Sequence, residues 1–318
     1  MNIVILERAS VGEDVSVESL SQLGTVISYD NTLSSQVAER IKDADVIIAN
    51  KTPLGSVNLA KAENVKLICE FATGYDNIDL EYCRARGIKV ANVVNYSTAA
   101  VAQHTFALCL YVLEKLNRYD AYVKLGQYAS QLSFTNFDQP FTELSGKTWG
   151  IVGMGNIGKS VARIAEAFGC RVICYSPTGS KSAAGYDYVD FDTLLAQSDF
   201  LSLHCPLSDA TRGMMNLETF RKMKNTAILI NVARGPVVNE FDLYRALLEG
   251  EIAGAGLDVL SEEPIKRSNP LSKIMDSNKL VITPHMAWAS TEARNRVVEE
   301  TYKNILAFTK GEDRNIVN

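Results

Sequence analysis

The segment WGIVGMGNIGKSVARIAEAF, residues 149–168, decides how the rest of the chain is read. Its first four residues form a short apolar run of strand type, and apolar residues at three- and four-residue spacing follow over 157–168. Between the two stands Gly153-Met154-Gly155-Asn156-Ile157-Gly158, a GxGxxG turn opening directly into the helix. Gly153 allows the tight turn, Gly155 leaves bare backbone for a pyrophosphate, and Gly158 lets helix and strand pack closely. Asn156 and Ile157 begin a helix whose first N–H groups are unpaired and whose positive dipole end faces the turn, so they are expected to meet the phosphates. A second apolar run, 172–175, completes the strand–helix–strand context that separates a dinucleotide site from an ordinary glycine turn.

Similar apolar runs recur at 3–6, 46–49, 67–69, 200–203, 228–232, 256–259 and 280–282, with helical spacing at 79–86 and 241–248. Strand alternating with helix predicts an α/β chain of parallel sheets. One alternating set fills the first 95 residues, an amphipathic helix is expected over 98–115, and a second set begins at residue 149. The last helix, near 291–308, is too short to be a domain, which implies that it returns to the first. The expected organisation is a substrate domain formed by 1–98 and 287–318 and a dinucleotide-binding domain over 99–286. Its hinges would lie near 96–98 and 285–289. Both domains are expected to be doubly wound parallel sheets, Rossmann type for the dinucleotide and flavodoxin-like for the discontinuous one.

The bulk properties are those of an ordinary globular protein and argue against other classes. Of 318 residues, 47% are apolar and 22% charged, and the net charge of −5 arises from scattered groups without a basic block. Nucleic acid is not expected as a partner. No apolar stretch approaches the ~20 residues of a membrane span, and the first residues lack the apolar core of an export signal. The six cysteines have no CxxC pair or other metal-ligand spacing and read as reduced core residues, so no metal and a cytoplasmic location are expected.

The second strand ends in Tyr175-Ser176-Pro177-Thr178-Gly179-Ser180-Lys181, without the carboxylate that usually binds an adenosine ribose 2′-OH. Ser176 and Lys181 could pair with a 2′-phosphate, whereas an ordinary polar loop would accept NAD. NAD and NADP both remain open, with NAD the simpler assignment.

Three histidines can be weighed singly. His104, inside the 98–115 helix, reads as a packing or hinge residue. His204, in Leu203-His204-Cys205-Pro206, and His285, in Thr283-Pro284-His285, both follow strand ends, where ligands of open α/β sheets collect. Arg234, in Asn231-Val232-Ala233-Arg234-Gly235, also follows a strand, and its guanidinium fork matches a carboxylate. Glu263 lies just beyond Asp258-Val259. Each charge alone would pass for a solvated loop residue. Together they are an Arg, a Glu and a His at three strand ends of one sheet, an inventory for binding a 2-oxo acid and protonating its carbonyl.

These motifs, with Thr73-Gly74-Tyr75-Asp76-Asn77-Ile78-Asp79, resemble the D-isomer-specific 2-hydroxyacid dehydrogenase family over essentially the whole chain. The resemblance implies that His285 is the acid/base group, that Glu263 pairs with it and favours the imidazolium, and that Arg234 binds the substrate carboxylate and polarises the carbonyl. Backbone amides at Thr73 and Gly74 would hold the carboxylate from the other domain, and domain closure would expel water. His204, Pro206 and Ala233 would line the cofactor, and Asp258 would orient the nicotinamide carboxamide. Trp288 resembles the aromatic wall of glycerate dehydrogenase and hydroxypyruvate reductase-like members. With no basic residue in the 71–76 loop, and no regulatory domain expected after residue 308, a small unphosphorylated acid such as hydroxypyruvate or glyoxylate is favoured, and a lactate- or branched-chain-type substrate is the alternative. Gln103 stands where many relatives carry an acid. A homodimer is also implied, with the 98–115 helix as contact element because of its surplus of apolar residues. The rival from another class is a corepressor-like, dinucleotide-sensing binding protein.

Overall fold

The structure is a computed structural model that describes residues 1–180 and 183–318. Lys181, one of the expected cofactor contacts, lies outside the described residues. The chain divides into two compact units, Met1–Ser97 with Trp288–Asn318, and Thr98–Ala287.

The first unit carries β1 (Asn2–Ile5), β2 (Thr25–Ser28), β3 (Val46–Ala49), β4 (Leu67–Glu70) and β5 (Lys89–Ala91). They form one parallel sheet in the order β2-β1-β3-β4-β5, the flavodoxin-like arrangement, whose order reverses between β1 and β3. β3 and β4 are buried along their whole length, as strands covered on both faces must be. The last helix, Thr291–Thr309, starts at the Ser290 cap and packs in this unit, burying Val297, Val298 and Ile305. Beyond it, Ile316 pairs antiparallel with Ala91 at the sheet edge.

The second unit carries β6 (Thr148–Val152), β7 (Arg171–Tyr175), β8 (Asp187–Tyr188), β9 (Phe200–Leu203), β10 (Ile228–Asn231), β11 (Gly254–Leu257) and β12 (Leu280–Ile282). Their order, β12-β11-β10-β9-β6-β7-β8, is the doubly wound dinucleotide-binding topology with one further edge strand. The order reverses between β6 and β9, so the GxGxxG turn after β6 and His204 after β9 leave the sheet side by side. The three strands without an apolar run, β2, β5 and β8, lie at sheet edges. β2 is mostly exposed and β8 has only two residues, so no continuous apolar run is required of them.

The helix Thr98–Leu113 lies against this sheet. Phe106 stacks on Trp149 at 4.5 Å, and the indole N–H of Trp149 donates to Ser202 Oγ at 2.9 Å, so the largest side chain of the core is both packed and satisfied. β11 reads Gly254-Ala255-Gly256-Leu257 because the helix crosses it closely. A Cβ on Gly254 would stand 2.6 Å from Val112 Cγ1, and one on Gly256 2.8 Å from Leu108 Cβ. These glycines also explain why β11 begins two residues before its apolar signal. The surplus of apolar residues expected to mark this helix as a subunit contact is therefore largely accounted for inside its own unit, where Ala102, Phe106, Leu108, Cys109, Val112 and Leu113 join one buried cluster.

A Gly256→Val substitution drives three methyl-sized groups into that contact and is expected to cost about 1–3 kcal/mol or more. Urea unfolding followed by tryptophan fluorescence measures it, and an unchanged midpoint would contradict this seating of the helix.

Candidate active site

The dinucleotide turn is built by close approaches of backbone to backbone. Gly153 has φ 92°, and its N–H donates to Tyr175 O at 2.9 Å. A Cβ there would lie 2.9 Å from both His204 C and Cys205 N, so a side chain would separate β6 from β9 at the switch point. A Cβ on Gly158 would sit 2.2 Å from Gly153 O, while one on Gly155 meets nothing within 4 Å. The turn is thus full where the chain packs on itself and empty at its middle glycine, at the N-terminus of the helix Asn156–Ala167. Its N-cap is Gly155, which has no side chain to cap the first turn. Open space over bare backbone N–H groups fits a phosphate group.

His204 adds a second observation of the same kind. Both ring nitrogens are buried without a hydrogen-bond partner among the described residues, although part of the residue's surface stays exposed. Burial lowers its pKa to about 3, so the ring is neutral and offers one donor and one acceptor. Orphaned polar atoms beside the glycine turn fit a polar ligand. At the end of β7, Ser176 Oγ lies 3.3 Å from Thr178 Oγ1 and Ser176 O accepts the N–H of Gly179 at 3.1 Å, which closes a small polar turn with no carboxylate.

The histidine–glutamate pair is formed within the second unit. His285 Nδ1 lies 2.7 Å from Glu263 Oε2, and Glu263 Oε1 accepts the Leu260 N–H at 2.9 Å. An ionised Glu263 only accepts, so Nδ1 carries the proton of this bond and Nε2 is left to exchange one. Both side chains are about a quarter to a third exposed, 23% and 34%, which leaves the pair open to a ligand while the carboxylate is held from two sides.

Arg234 is positioned by its own loop. Asn231, the last residue of β10, donates from Nδ2 to Arg234 O at 3.0 Å and accepts the Ala233 N–H at 3.0 Å, and Arg234 Nη1 donates to Ala233 O at 2.8 Å. The next residue has no room for a side chain, since a Cβ on Gly235 would fall 1.9 Å from Leu260 C. The Arg234 loop is therefore pressed against the segment whose Leu260 N–H anchors Glu263, and this contact brings the arginine loop to the His–Glu pair.

Asp258 is bound into the turn that carries His285. Its buried carboxylate accepts from Thr283 Oγ1 at 2.6 Å and from the N–H groups of Met286 and Ala287 at 2.8 Å each. Its main-chain oxygen accepts the His285 N–H at 2.8 Å. Burial alone would raise its pKa, but His104, Thr283 and the two amides outweigh it and hold the carboxyl below its ordinary value. His285 has φ 53°, a left-handed conformation costing a non-glycine residue about 1–3 kcal/mol, and the Asp258 bonds hold that turn in place. In this structure Asp258 braces the histidine turn.

Pro206 follows β9 in the second unit, its carbonyl accepting from Thr211 Oγ1 at 2.8 Å, and the expected substrate-side residues other than Arg234 lie in the first unit. Thr73 follows β4, its Oγ1 donating to Val93 O at 2.7 Å and its carbonyl accepting from Asn92 Nδ2 at 2.7 Å, with Gly74 next to it. Trp288 meets Tyr96 edge-on at 6.1 Å. Sequence reasoning missed Asn231, Gly235 and Thr283 as positioning residues. Their signal was present only as small or polar residues next to the motif arginine and histidine.

Gly235→Ala is expected to leave the protein with less than about 1% of its activity or unable to fold, because the added carbon meets backbone and overpacking of this kind has no flexible neighbour to move. Soluble expression and turnover of this variant check it, and near-normal activity would refute the contact.

Residues 106–287 match the family described as D-isomer specific 2-hydroxyacid dehydrogenase, NAD binding domain. A hydroxypyruvate reductase of Blautia hydrogenotrophica is 38% identical over 324 residues, covering all of both chains. A glycerate dehydrogenase of Methylorubrum extorquens is 36% identical over 316 residues, 99% of this chain and 98% of that one. The crystal structure of D-lactate dehydrogenase from Aquifex aeolicus, complexed with NAD and lactic acid, superposes with a TM-score of 0.86 at 33% identity, covering 98% of this chain and 96% of the other. With a doubly wound parallel sheet, a glycine turn at its switch point and a paired histidine at a strand end, the chain belongs to the D-isomer-specific 2-hydroxyacid dehydrogenase family.

Proposed function

We propose that the chain reduces a small, unphosphorylated 2-oxo acid to the D-2-hydroxy acid, with His285 as general acid, Glu263 as its partner and Arg234 as the carboxylate ligand. The observation that carries this reading is the 2.7 Å His285–Glu263 bond, with the other Glu263 oxygen fixed by the Leu260 N–H. The nicotinamide dinucleotide supplies and accepts the hydride when bound. His285 Nε2 gives a proton to the carbonyl oxygen as negative charge grows there, while Nδ1 stays bonded to Glu263, so the ring keeps one orientation through the cycle. In the oxidative direction the neutral ring takes the hydroxyl proton, and the Glu263 carboxylate stabilises the imidazolium that results. The guanidinium of Arg234 pairs with the substrate carboxylate and draws electron density from the carbonyl.

Gly153, Gly155, Asn156, Ile157 and Gly158 are the proposed pyrophosphate cradle, with His204, Pro206 and Ala233 beside the cofactor. From the resemblance alone, the proposal extends to Thr73, Gly74 and Trp288 as substrate-side residues. Hydroxypyruvate or glyoxylate is favoured by the absence of a basic residue in the 71–76 loop and by the names of the two relatives above. NAD is the proposed cofactor, and the polar turn at Ser176, lacking a carboxylate, is expected to tolerate NADPH as well. Six buried thiols, none in a disulfide, support a reducing compartment such as the cytoplasm, and no helix among the described residues is long and apolar enough to cross a membrane.

A homodimer belongs to the same reading, but its contact surface shifts from the Thr98–Leu113 helix to the segment after it. Leu125, Leu132, Phe134 and Phe137 are exposed by 74%, 107%, 88% and 79%, a density of bare apolar side chains unusual for a free surface. Phe134→Asp with Phe137→Asp is expected to halve the mass measured by light scattering behind size exclusion. An unchanged mass would move the interface elsewhere.

The reaction is tested by initial rates at 340 nm with hydroxypyruvate, glyoxylate, pyruvate and 2-oxoisocaproate, each with NADH and NADPH. Activity should be highest on one of the first two and fall by ~10²-fold or more in His285→Ala. A preference for pyruvate or 2-oxoisocaproate would assign a lactate- or branched-chain-type enzyme. Dinucleotide binding without turnover on any of them would favour the sensing protein.

A further inference from the structure

His104 reads from sequence as a packing histidine, yet its Nε2 lies 2.9 Å from Thr283 Oγ1 and 3.5 Å from Asp258 Oδ1. The directions of these bonds follow from proton counting. The Asp258 carboxylate is held in its ionised form, so it can only accept, and in the 2.6 Å contact the Thr283 hydroxyl must donate. A hydroxyl has one proton. Thr283 Oγ1 therefore accepts from His104, and Nε2 of His104 carries a hydrogen. The result is a one-way chain from His104 through Thr283 to Asp258, within one unit and linking helix residue 104 to a turn 179 residues later. At its far end Asp258 receives three consecutive amides, from His285 on its main-chain oxygen and from Met286 and Ala287 on its carboxylate.

We infer that His104 is a positioning residue for His285: by donating to Thr283 it orients the hydroxyl onto Asp258, and Asp258 in turn holds the left-handed backbone from which the His285 ring reaches Glu263. The inference rests on the reading of His285 as the acid/base group. His104 does not touch the reacting atoms in this scheme, so it acts on the chemical step and leaves ground-state binding of substrate and dinucleotide alone. Loss of its donor frees the hydroxyl to rotate, which removes one of the carboxylate's partners and loosens the turn. Misplacement of a reacting group by an ångström is enough to cost up to ~10²-fold in rate.

The test uses the full-length protein and steady-state kinetics with its best 2-oxo acid, together with dinucleotide affinity from fluorescence titration. His104→Leu is expected to lower kcat by about 10- to 100-fold, with KM and dinucleotide Kd within about threefold of the wild type. His104→Gln, which keeps an N–H donor on a flexible chain, should recover most of the loss. Thr283→Val, of nearly the same shape, should reproduce the His104→Leu defect and stands in for it if that variant does not fold. Combined with His285→Ala, His104→Leu should add nothing, because a residue acting through His285 has no effect once that ring is gone. An unchanged kcat in Thr283→Val, no recovery in His104→Gln, or full additivity with His285→Ala would each overturn the inference. Should His285→Ala itself keep wild-type kcat, the acid/base reading would fail separately, whatever His104 does.

Discussion

One buried carboxylate, Asp258, holds the reactive end of the second unit together. Taking a carboxylate out of water is costly unless donors replace its hydration, and here the donors are the Thr283 hydroxyl, itself bonded to His104, and two main-chain amides. The arrangement is reciprocal. The amides that satisfy the charge are those of the turn carrying His285, so the solvation of one residue and the geometry of the other are a single requirement. Glu263 repeats the pattern on the far side of the ring, where one oxygen takes an amide and the other the imidazole.

Around that centre, position depends on how closely backbone can approach backbone. β6 and β9 meet at Gly153 and His204, the helix after β6 rests on Gly153 through Gly158, and the Arg234 loop reaches the Glu263 loop through Gly235. None of these contacts buries much apolar area. They set distances that side chains further out can only inherit, whereas the core beneath them, Trp149 with Phe106 and the residues along β9 and β10, supplies the hydrophobic stabilisation. Stability and placement are thus largely carried by different residues.

Much of this architecture is legible in the primary sequence. Parallel strands buried on both faces must be continuous apolar runs, and a glycine turn between strand and helix has few uses, so the α/β class, the strands at 46–49 and 200–203, and the dinucleotide turn follow from local pattern alone. The charged residues Arg234, Glu263 and His285 are marked by following strand ends. The edge strands β2, β5 and β8 were not legible, because a partly solvated edge needs no apolar run. The start of β11 was hidden by Gly254 and Gly256, chosen for the helix above them and not for strand propensity.

What the sequence by itself determined is therefore whatever depends on periodicity and on the neighbours of a glycine, since those properties act over a few residues. Tertiary structure alone decided the hydrogen-bond partners of His104, Thr283 and Asp258, and the internal use of the Thr98–Leu113 helix. Residue 104 and residue 283 share no local pattern, and a histidine in an apolar helix looks the same whether it meets a methyl group or a hydroxyl. The difference lies in which atom the fold brings within 3 Å of its ring, and hydrogen bonding is too short-ranged and directional for composition or spacing to encode it.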